Sequence, residues 1–213
     1  MLITSYLLTA LAAYLLGSIP TGFLVARAKG VDIRTVGSGN IGATNAMRVL
    51  GKPAGIFVLF VDALKGYAAC GWLVALMLQF FTLTPEQVQT HEIIAGIAAV
   101  LGHNYTCWLG FKGGKGIATT AGVFIALAPW ALLVALGVFI LAVLVTRYVS
   151  VGSIAAAVAL PATVWIMPPR NLLLCVVTTA LGVLAIYKHK GNIQRLRAGT
   201  ESRIGAKKQG AAK

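Results

Sequence analysis

Three short segments of this 213-residue chain contain residue types that bind phosphate esters. The first, GSGNIGATNAMR, spans 37–48. Its hydrogen-bonding side chains are Ser38, Asn40, Thr44 and Asn45. Arg48 adds a guanidinium that can bind a phosphate through two parallel N–H bonds, and the glycines let backbone N–H groups approach an anion. The segment therefore predicts a binding loop for a phosphate ester; an ordinary membrane loop is the alternative.

The same segment contains G-x-G-x-x-G, the fingerprint of a dinucleotide-binding turn, at Gly37, Gly39 and Gly42. That fingerprint requires a strand before it and a helix after it within a strand–helix–strand unit. Here a membrane span is predicted to begin near residue 54, so we reject dinucleotide binding.

The second segment, FKGGKGIAT, spans 111–119 and combines glycines with cations. Its glycines are Gly113, Gly114 and Gly116, and its lysines are Lys112 and Lys115. Consecutive backbone N–H groups at the start of a helix favour an anion, so we predict a second phosphate cradle, with a tight cytoplasmic turn as the alternative. His103 lies at the end of the preceding apolar run, where a structural and a functional role are equally expected.

The third segment, HKGNIQRLRAGTE, spans 189–201 at the end of the last apolar run. His189, Asn192 and Arg195 are spaced three residues apart and would share one face of a helix. Glu201 is the only acid in a tail that carries eight of the eighteen Lys and Arg residues, so we predict that it supports an arginine structurally. A basic segment that touches anionic lipid is the alternative.

The composition indicates which elements must position these segments. The chain is 58% hydrophobic and only 11% charged, whereas soluble domains carry about 25% charged residues. The net charge of +13 is explained by basic residues that collect in cytoplasmic loops of membrane proteins. No soluble module remains to bind nucleic acid, so nucleic acid is excluded as a partner.

Long apolar runs predict membrane-spanning helices, each of about 20 residues. They cover 3–26, 54–81, 93–109, 117–146, 150–167 and 172–187. If 117–146 were one span, the basic tail from Lys188 would lie outside, against the positive-inside rule. We therefore predict two short helices hinged near Pro129, and seven spans in all.

The prediction is thus an all-α integral membrane protein with seven transmembrane helices. Its N-terminus lies outside, since the first basic residues follow the first apolar run, and its C-terminus is cytosolic. All three polar segments then lie on the cytosolic face, whereas the loop 82–92 and Arg170 lie outside. Residues 1–201 form one transmembrane domain, and 202–213 form a basic flexible tail. The cysteines show no metal-ligand spacing, and Asp62 and Lys65, three residues apart, are predicted to pair within the second span.

Together the three segments, with Gly102 and His103, resemble the PlsY family, the acyl-phosphate-dependent glycerol-3-phosphate acyltransferases of bacteria. The order and spacing of the motifs match from residue 37 to residue 201. Thr106 and Trp108 depart from the family pattern, which commonly has proline and phenylalanine there. The resemblance implies acyl transfer from acyl phosphate to the 1-hydroxyl of glycerol 3-phosphate, giving lysophosphatidic acid and inorganic phosphate. It also implies no cofactor, no metal and no use of acyl-CoA.

Such a reaction needs two phosphates held close together and a hydroxyl oriented at the acyl carbonyl, with no covalent enzyme intermediate. We assign catalytic roles on glycerol 3-phosphate to Ser38, Arg48, His189 and Asn192. Further substrate-binding residues are Asn40, Thr44, Asn45, Lys112, Gly113, Gly114, Lys115, Gly116 and Arg195, with His103 and Glu201 as structural support. The glycines would bind the donor phosphate. Either His189 or the substrate's own phosphate takes the proton.

The alternatives are an acyl-CoA-dependent acyltransferase and a small membrane transporter or binding protein for a phosphorylated solute. Acyl-CoA-dependent acyltransferases commonly carry H-x-x-x-x-D, which none of the three histidines begins. A transporter for a phosphorylated solute would need polar groups along a path across the membrane, and here they are predicted on one face. The predicted location is the bacterial inner membrane, with the active site on the cytosolic face. The expected partners are both substrates, membrane lipid and the soluble enzyme that makes acyl phosphate.

Overall fold

A computed structural model describes residues 1–168 and 171–205, and all regular structure in that part of the chain is helical. The helices are α1 (Leu2–Ser18), α2 (Thr21–Arg27), α3 (Ala43–Leu50), α4 (Lys52–Ala68), α5 (Val74–Met77), α6 (Pro85–Asn104), α7 (Ile117–Leu127), α8 (Pro129–Thr146), α9 (Val149–Ile166), α10 (Leu172–Lys188) and α11 (Lys190–Arg197). A π-helical turn, Ala69–Leu73, joins α4 to α5, and a 3₁₀ turn, Cys107–Leu109, follows α6. The all-α prediction is confirmed for the described residues.

The chain divides into two compact units, Met1–Leu132 and Leu133–Lys213. In the first unit α1 packs on α6, while α4 packs on α3 and α7. Glycines allow α1 and α6 to approach closely, since a Cβ at Gly17 would collide with the backbone of Ala99. Small residues of this kind let helix backbones meet in membranes. In the second unit α9 packs on α10.

In the described part of the chain, four helical segments are long and apolar enough to cross a membrane: Leu2–Arg27, Lys52–Met77, Pro129–Thr146 and Val149–Ile166. A fifth results if α10 and α11, bent by 50° at their junction, count as one span. α7 has only 11 residues, whereas a full crossing needs about 20. The count of seven spans therefore stays a prediction.

The break predicted near Pro129 is present, because α7 ends at Leu127 and α8 begins at Pro129. Proline is favoured at a helix start, where its missing N–H has no intrahelical partner to lose. Arg170 and residues 206–213 of the predicted tail lie outside the described residues.

Two predicted loops were wrong in extent. The loop 82–92 ends early, because α6 begins at Pro85 behind a capping box. Thr84 donates its backbone N–H to the Gln87 side chain at 2.9 Å, and its own hydroxyl accepts the Gln87 N–H at 3.4 Å. The loop 27–53 also contains α3, whose arginine and asparagine hide it from a hydropathy reading. The third apolar run, predicted to reach residue 109, ends as a helix at Asn104.

The first predicted span is broken rather than continuous. α1 ends at Ser18 and α2 begins after Pro20, since proline cannot donate a helical N–H. Side chains from α4 and from the segment just after α6 satisfy the carbonyls at the break, as intramembrane backbone requires. Thr106 donates to the Ser18 carbonyl at 2.6 Å and Lys65 donates to the Ile19 carbonyl at 3.0 Å. Thr106, a departure from the family pattern, thus has a structural reason.

Candidate active site

Asn45 organises the first polar segment from inside the protein. Its side chain is almost wholly buried, with 1% exposed. Its Oδ1 accepts the backbone N–H of Ser38 at 2.9 Å, and its amide nitrogen donates to the carbonyls of Ile33 at 3.3 Å and Val36 at 3.1 Å. Gly37 has a positive φ of 62°, and a Cβ there would collide with the Asn45 amide. One asparagine thus fixes the loop that carries Ser38.

The other polar residues of this segment lie nearer the surface. Ser38 and Thr44 are exposed, while Asn40 and Arg48 are half-buried. Thr44 and Arg48 are four residues apart on α3 and therefore share a face of that helix. Asn40 accepts the N–H of Gly42 at 2.9 Å, next to the start of α3. The segment can therefore offer a hydroxyl and a guanidinium to an anion from one short helix.

Arg34, a cation close to this loop, is already paired. Its guanidinium contacts both carboxylate oxygens of Asp32, at 2.9 and 2.7 Å. Hydrogen bonds from the Arg34 side chain and backbone lower the pKa of Asp32 to about 2. Arg34 also lies over the ring of Phe23, with 4.9 Å between the guanidinium carbon and the ring centroid. The positive charge of Arg34 is therefore neutralised by Asp32, although the sequence alone could suggest that Arg34 binds a substrate.

The second polar segment corrects the predicted backbone cradle. The N–H of Gly113 donates to the Asn104 carbonyl at 3.2 Å, and the N–H of Gly114 donates to the His103 carbonyl at 3.0 Å. The last carbonyls of a helix lack intrahelical partners, so the end of α6 takes up these two donors. Gly113 and Gly114 therefore do not offer their N–H groups to an anion in this structure.

The cationic part of this segment lies on either side of that turn. Lys112 is exposed and Lys115 is half-buried. Gly116 has a φ of 82° and precedes the first residue of α7, Ile117. The first N–H groups of a helix have no carbonyl partner within it. The start of α7, with two lysines before it, is thus the part of the segment suited to an anion.

A buried ion pair lies behind the turn. Lys65 Nζ is 2.9 Å from Asp62 Oδ1, as their spacing on α4 predicted. His103 Nδ1 lies 3.6 Å from the same oxygen. All three side chains are buried. The sequence did not predict that this pair meets His103.

In the second unit, Glu201 accepts hydrogen bonds from three side chains. Its carboxylate accepts the Asn192 amide at 2.7 Å, the Arg195 guanidinium at 2.7 Å and the Ser150 hydroxyl at 3.0 Å. Burial raises the pKa of Glu201, but the hydrogen bonds from Asn192, Arg195 and Ser150 outweigh it and hold that pKa below its ordinary value. Ser150 was missed in the sequence, where it stands in an apolar run with no signal around it. This unit therefore brings three residues of the third segment together.

His189 lies at the 50° bend between α10 and α11 and is 3% exposed. Its Nδ1 is 2.8 Å from the Ala185 carbonyl. A carbonyl only accepts, so Nδ1 carries the hydrogen and Nε2 carries the lone pair when the ring is neutral. The hydrogen bond to Ala185 thus fixes which nitrogen could accept a proton.

The start of the C-terminal tail is also held within the second unit. The N–H of Ile204 donates to the Arg147 carbonyl at 2.8 Å, and Arg203 donates to the Tyr148 hydroxyl at 2.9 Å.

Within the described residues, no group of three His, Cys, Asp or Glu side chains could hold a metal ion.

The chain matches the family model described as glycerol-3-phosphate acyltransferase over residues 7–199. It is 50% identical to the glycerol-3-phosphate acyltransferase of Geobacter sulfurreducens, covering 96% of this chain and 100% of the relative. The corresponding protein of Geobacter metallireducens is 52% identical, covering 91% of this chain and 95% of the relative.

A solved structure of PlsY, an integral membrane glycerol 3-phosphate acyltransferase in its glycerol 3-phosphate form, aligns with a TM-score of 0.83 and 40% identity. The alignment covers 94% of this chain and 96% of that one. A second PlsY structure, the lysophosphatidic acid form, aligns with a TM-score of 0.80 and 39% identity. This chain therefore belongs to the glycerol-3-phosphate acyltransferase family, and it is a multi-pass membrane acyltransferase of phospholipid synthesis.

Proposed function

We propose that this protein transfers a fatty acyl group from an acyl phosphate to the 1-hydroxyl of glycerol 3-phosphate. The hydroxyl oxygen forms a bond to the acyl carbon, the bond from that carbon to the phosphate oxygen breaks, and inorganic phosphate leaves. Lysophosphatidic acid is the other product. The observation that carries the proposal is the likeness, over nearly the whole chain, to PlsY structures in the glycerol 3-phosphate and lysophosphatidic acid forms.

On the acceptor side, Ser38, Thr44 and Arg48 contact the phosphate of glycerol 3-phosphate. Support comes from their position on or near α3, with Arg48 able to make two parallel charge-assisted bonds. Asn40 and Asn45 serve this half of the site by holding the loop, because their side-chain oxygens already accept the N–H groups of Gly42 and Ser38.

On the donor side, Lys112, Lys115 and the first N–H groups of α7 bind the leaving phosphate. A helix start favours negative charge, and the two lysines add to it. Gly113 and Gly114 contribute the tight turn that brings the lysines to this point. Charge that develops on the departing phosphate is stabilised here during the reaction.

The proton of the attacking hydroxyl goes either to Nε2 of His189 or to the phosphate of the substrate itself. Support for His189 is the bond from Nδ1 to Ala185, which leaves the lone pair of the neutral ring on Nε2. Asn192 and Arg195 contribute to acceptor binding while Glu201 holds both of them. No covalent enzyme intermediate forms, since phosphate is already a good leaving group.

The same proposal includes the location. The chain crosses the bacterial inner membrane seven times, with the N-terminus outside and all three polar segments in the cytosol, as the distribution of Lys and Arg favours. The acyl chain lies among the apolar helices and lipid. A basic tail, 202–213, follows the catalytic domain, and the soluble enzyme that makes acyl phosphate is a further partner.

The decisive experiment supplies the purified protein with radiolabelled glycerol 3-phosphate and either acyl phosphate or acyl-CoA as the only donor. We expect lysophosphatidic acid from acyl phosphate alone, with inorganic phosphate as a competitor of the donor. Full activity with acyl-CoA, or no competition by phosphate, would overturn the donor assignment.

Ser38→Ala and Arg48→Ala should each lower turnover by about 10²–10³, the usual effect of removing one charge-stabilising donor. Thr35→Ala is the control, because the Thr35 hydroxyl is exposed and only donates to the Asp32 carbonyl within its own turn. Near-wild-type turnover in Arg48→Ala would contradict the acceptor assignment.

A further inference from the structure

A series of buried contacts, polar at Lys65, Asp62 and His103 and steric at Gly114, joins the break in the first span to the turn before α7. Lys65 Nζ donates to the Ile19 carbonyl at 3.0 Å and lies 2.9 Å from Asp62. The same Asp62 oxygen lies 3.6 Å from Nδ1 of His103. The ring of His103 lies directly against Gly114, where an added Cβ would collide with Nε2.

The burial of this series is costly. Asp62 is 2% exposed, Lys65 is 4% exposed and His103 is 5% exposed. Replacing a buried ion pair by apolar residues is often neutral or stabilising, so the pair is weak evidence for stability alone. Ionisable residues within membrane helices are usually functional. We therefore expect Asp62 and Lys65 to have a role beyond neutralising each other's charge.

The turn is fixed by the same residue that contacts the pair. The carbonyl of His103 accepts the N–H of Gly114, and the carbonyl of Asn104 accepts the N–H of Gly113. Gly114 has no room to move toward the imidazole. A displacement of His103 would thus displace the turn. Lys112 and Lys115, which lie on either side of the turn, would be displaced with it.

We infer that Asp62 and Lys65 are positioning residues for the donor half of the site. The carboxylate of Asp62 orients His103, His103 fixes the turn at Gly113 and Gly114, and the turn sets Lys112 and Lys115 at the start of α7. Lys65 contacts both Asp62 and the Ile19 carbonyl, so the position of Asp62 is fixed relative to the break in the first span. The inference rests on the proposed function for what the start of α7 binds.

This role differs measurably from simple charge neutralisation. If the pair only offsets its own burial, a variant that removes both charges should fold and work normally. If the pair positions the turn, the same variant should fold but bind the donor poorly. Glycerol 3-phosphate should bind as before, because its assigned residues on α3 contact no member of the series by hydrogen bond.

The test compares Asp62→Leu/Lys65→Met with the wild type and with Lys52→Met, which removes an exposed lysine from the start of the same helix. Thermal unfolding in detergent establishes folding. Hydrogen–deuterium exchange of peptides covering 111–116 reports on the turn without any substrate. Steady-state kinetics then give KM for acyl phosphate and for glycerol 3-phosphate separately. Asp62→Asn, which keeps the shape and removes one charge, is measured in parallel.

We expect the double variant to stay folded and to exchange faster at 111–116, with an unfolding temperature lowered because the Ile19 carbonyl loses its Lys65 donor. Its KM for acyl phosphate should rise roughly 10–100-fold, since a misplacement of about 1 Å can cost 10²-fold, while its KM for glycerol 3-phosphate stays unchanged. Unchanged exchange, wild-type KM for the donor, or an equal rise in both KM values would overturn the inference. So would loss of folding in both Asp62 variants, which would make the pair a requirement of the fold alone. Inactivity of the wild type with acyl phosphate would instead overturn the proposed donor.

Discussion

The guanidinium of Arg195 lies 2.7 Å from the carboxylate of Glu201, and this ion pair connects α11 to a residue four positions beyond its end. The same carboxylate accepts the Asn192 amide and, from α9, the Ser150 hydroxyl. One acid therefore fixes the orientation of two residues assigned to substrate binding. Its loss should disturb both of them, not only the arginine.

The first prediction concerns pH. The pKa of Glu201 is held below its ordinary value by its three donors. The stabilisation it gives is therefore fully present above the ordinary glutamate pKa of about 4.3, and it is lost as pH falls through the lower pKa of the folded state. Glu201→Gln should lower the unfolding temperature by a few degrees at pH 7, since a hydrogen bond to a charged group is worth about 1.5–3 kcal/mol.

The measurement is thermal unfolding of the wild type and Glu201→Gln across acidic and neutral pH. The gap between them should stay constant from neutral pH down to about pH 5 and should close below that, where the carboxylate becomes protonated. Ser202→Ala is a control at the neighbouring position. A gap that widens as pH falls would mean that the sign of the pKa shift is wrong.

The second prediction separates holding the loop from contacting the substrate. Asn45→Asp keeps the oxygen that accepts the Ser38 N–H but places a second oxygen against the carbonyls of Ile33 and Val36. A buried acceptor facing two acceptors costs about 1–3 kcal/mol or more. We expect Asn45→Asp to lower both the unfolding temperature and turnover.

Thr44→Ala, at the adjacent exposed position, should instead raise KM for glycerol 3-phosphate and leave the unfolding temperature unchanged. If Asn45→Asp unfolds like the wild type and only its KM changes, Asn45 contacts substrate and the holding role is wrong.

The sequence predicted the helical class because apolar runs of membrane length have few other structures open to them. It also predicted the break near Pro129, because the positive-inside rule required the run 117–146 to be two helices and proline is a natural place for a helix to break. It did not predict the start of α6, because Gln87 and His91 lower the hydropathy of a helix whose first turn is fixed by the Thr84 cap. Local hydrogen bonds, not average hydropathy, set that boundary.

The sequence predicted which residue types form the candidate site, but it did not predict which of these residues are buried or what they contact. Thr44 and Asn45 are neighbours with similar chemistry, yet one is exposed and the other is buried. Which of them faces inward depends on how α3 packs on α4, and one sequence does not fix that packing. The sequence assigned the N–H groups of Gly113 and Gly114 to an anion, whereas both donate to carbonyls at the end of α6. These acceptors belong to a different element, and the sequence does not show that the end of α6 lies against the turn.

The third prediction concerns the turn before α7. In Gly114→Ala the new methyl group would collide with the His103 imidazole, so the turn must shift. We expect KM for acyl phosphate to rise more than KM for glycerol 3-phosphate. Steady-state kinetics with each substrate varied in turn measure the two effects.

Gly137→Ala is the matched control, because a Cβ at Gly137 meets nothing within 4 Å. Alanine in a helix interior is favoured over glycine by about 1 kcal/mol, so this variant should be as active as the wild type and no less stable. Wild-type KM values for both substrates in Gly114→Ala would contradict the role of the turn.

The last prediction concerns topology. Residues 78–84 carry no Lys or Arg, whereas the segment from Lys188 onward is strongly basic, so the two should lie on opposite sides of the membrane. Thr82 and Thr200 are both exposed and suit labelling. Cys70 and Cys175 are buried, so only the partly exposed Cys107 needs replacement by serine beforehand. In intact cells a membrane-impermeant maleimide should label Thr82→Cys but not Thr200→Cys, and permeabilised cells should label both. Strong labelling of Thr200→Cys in intact cells would require the tail to be outside and would reduce or raise the span count by one.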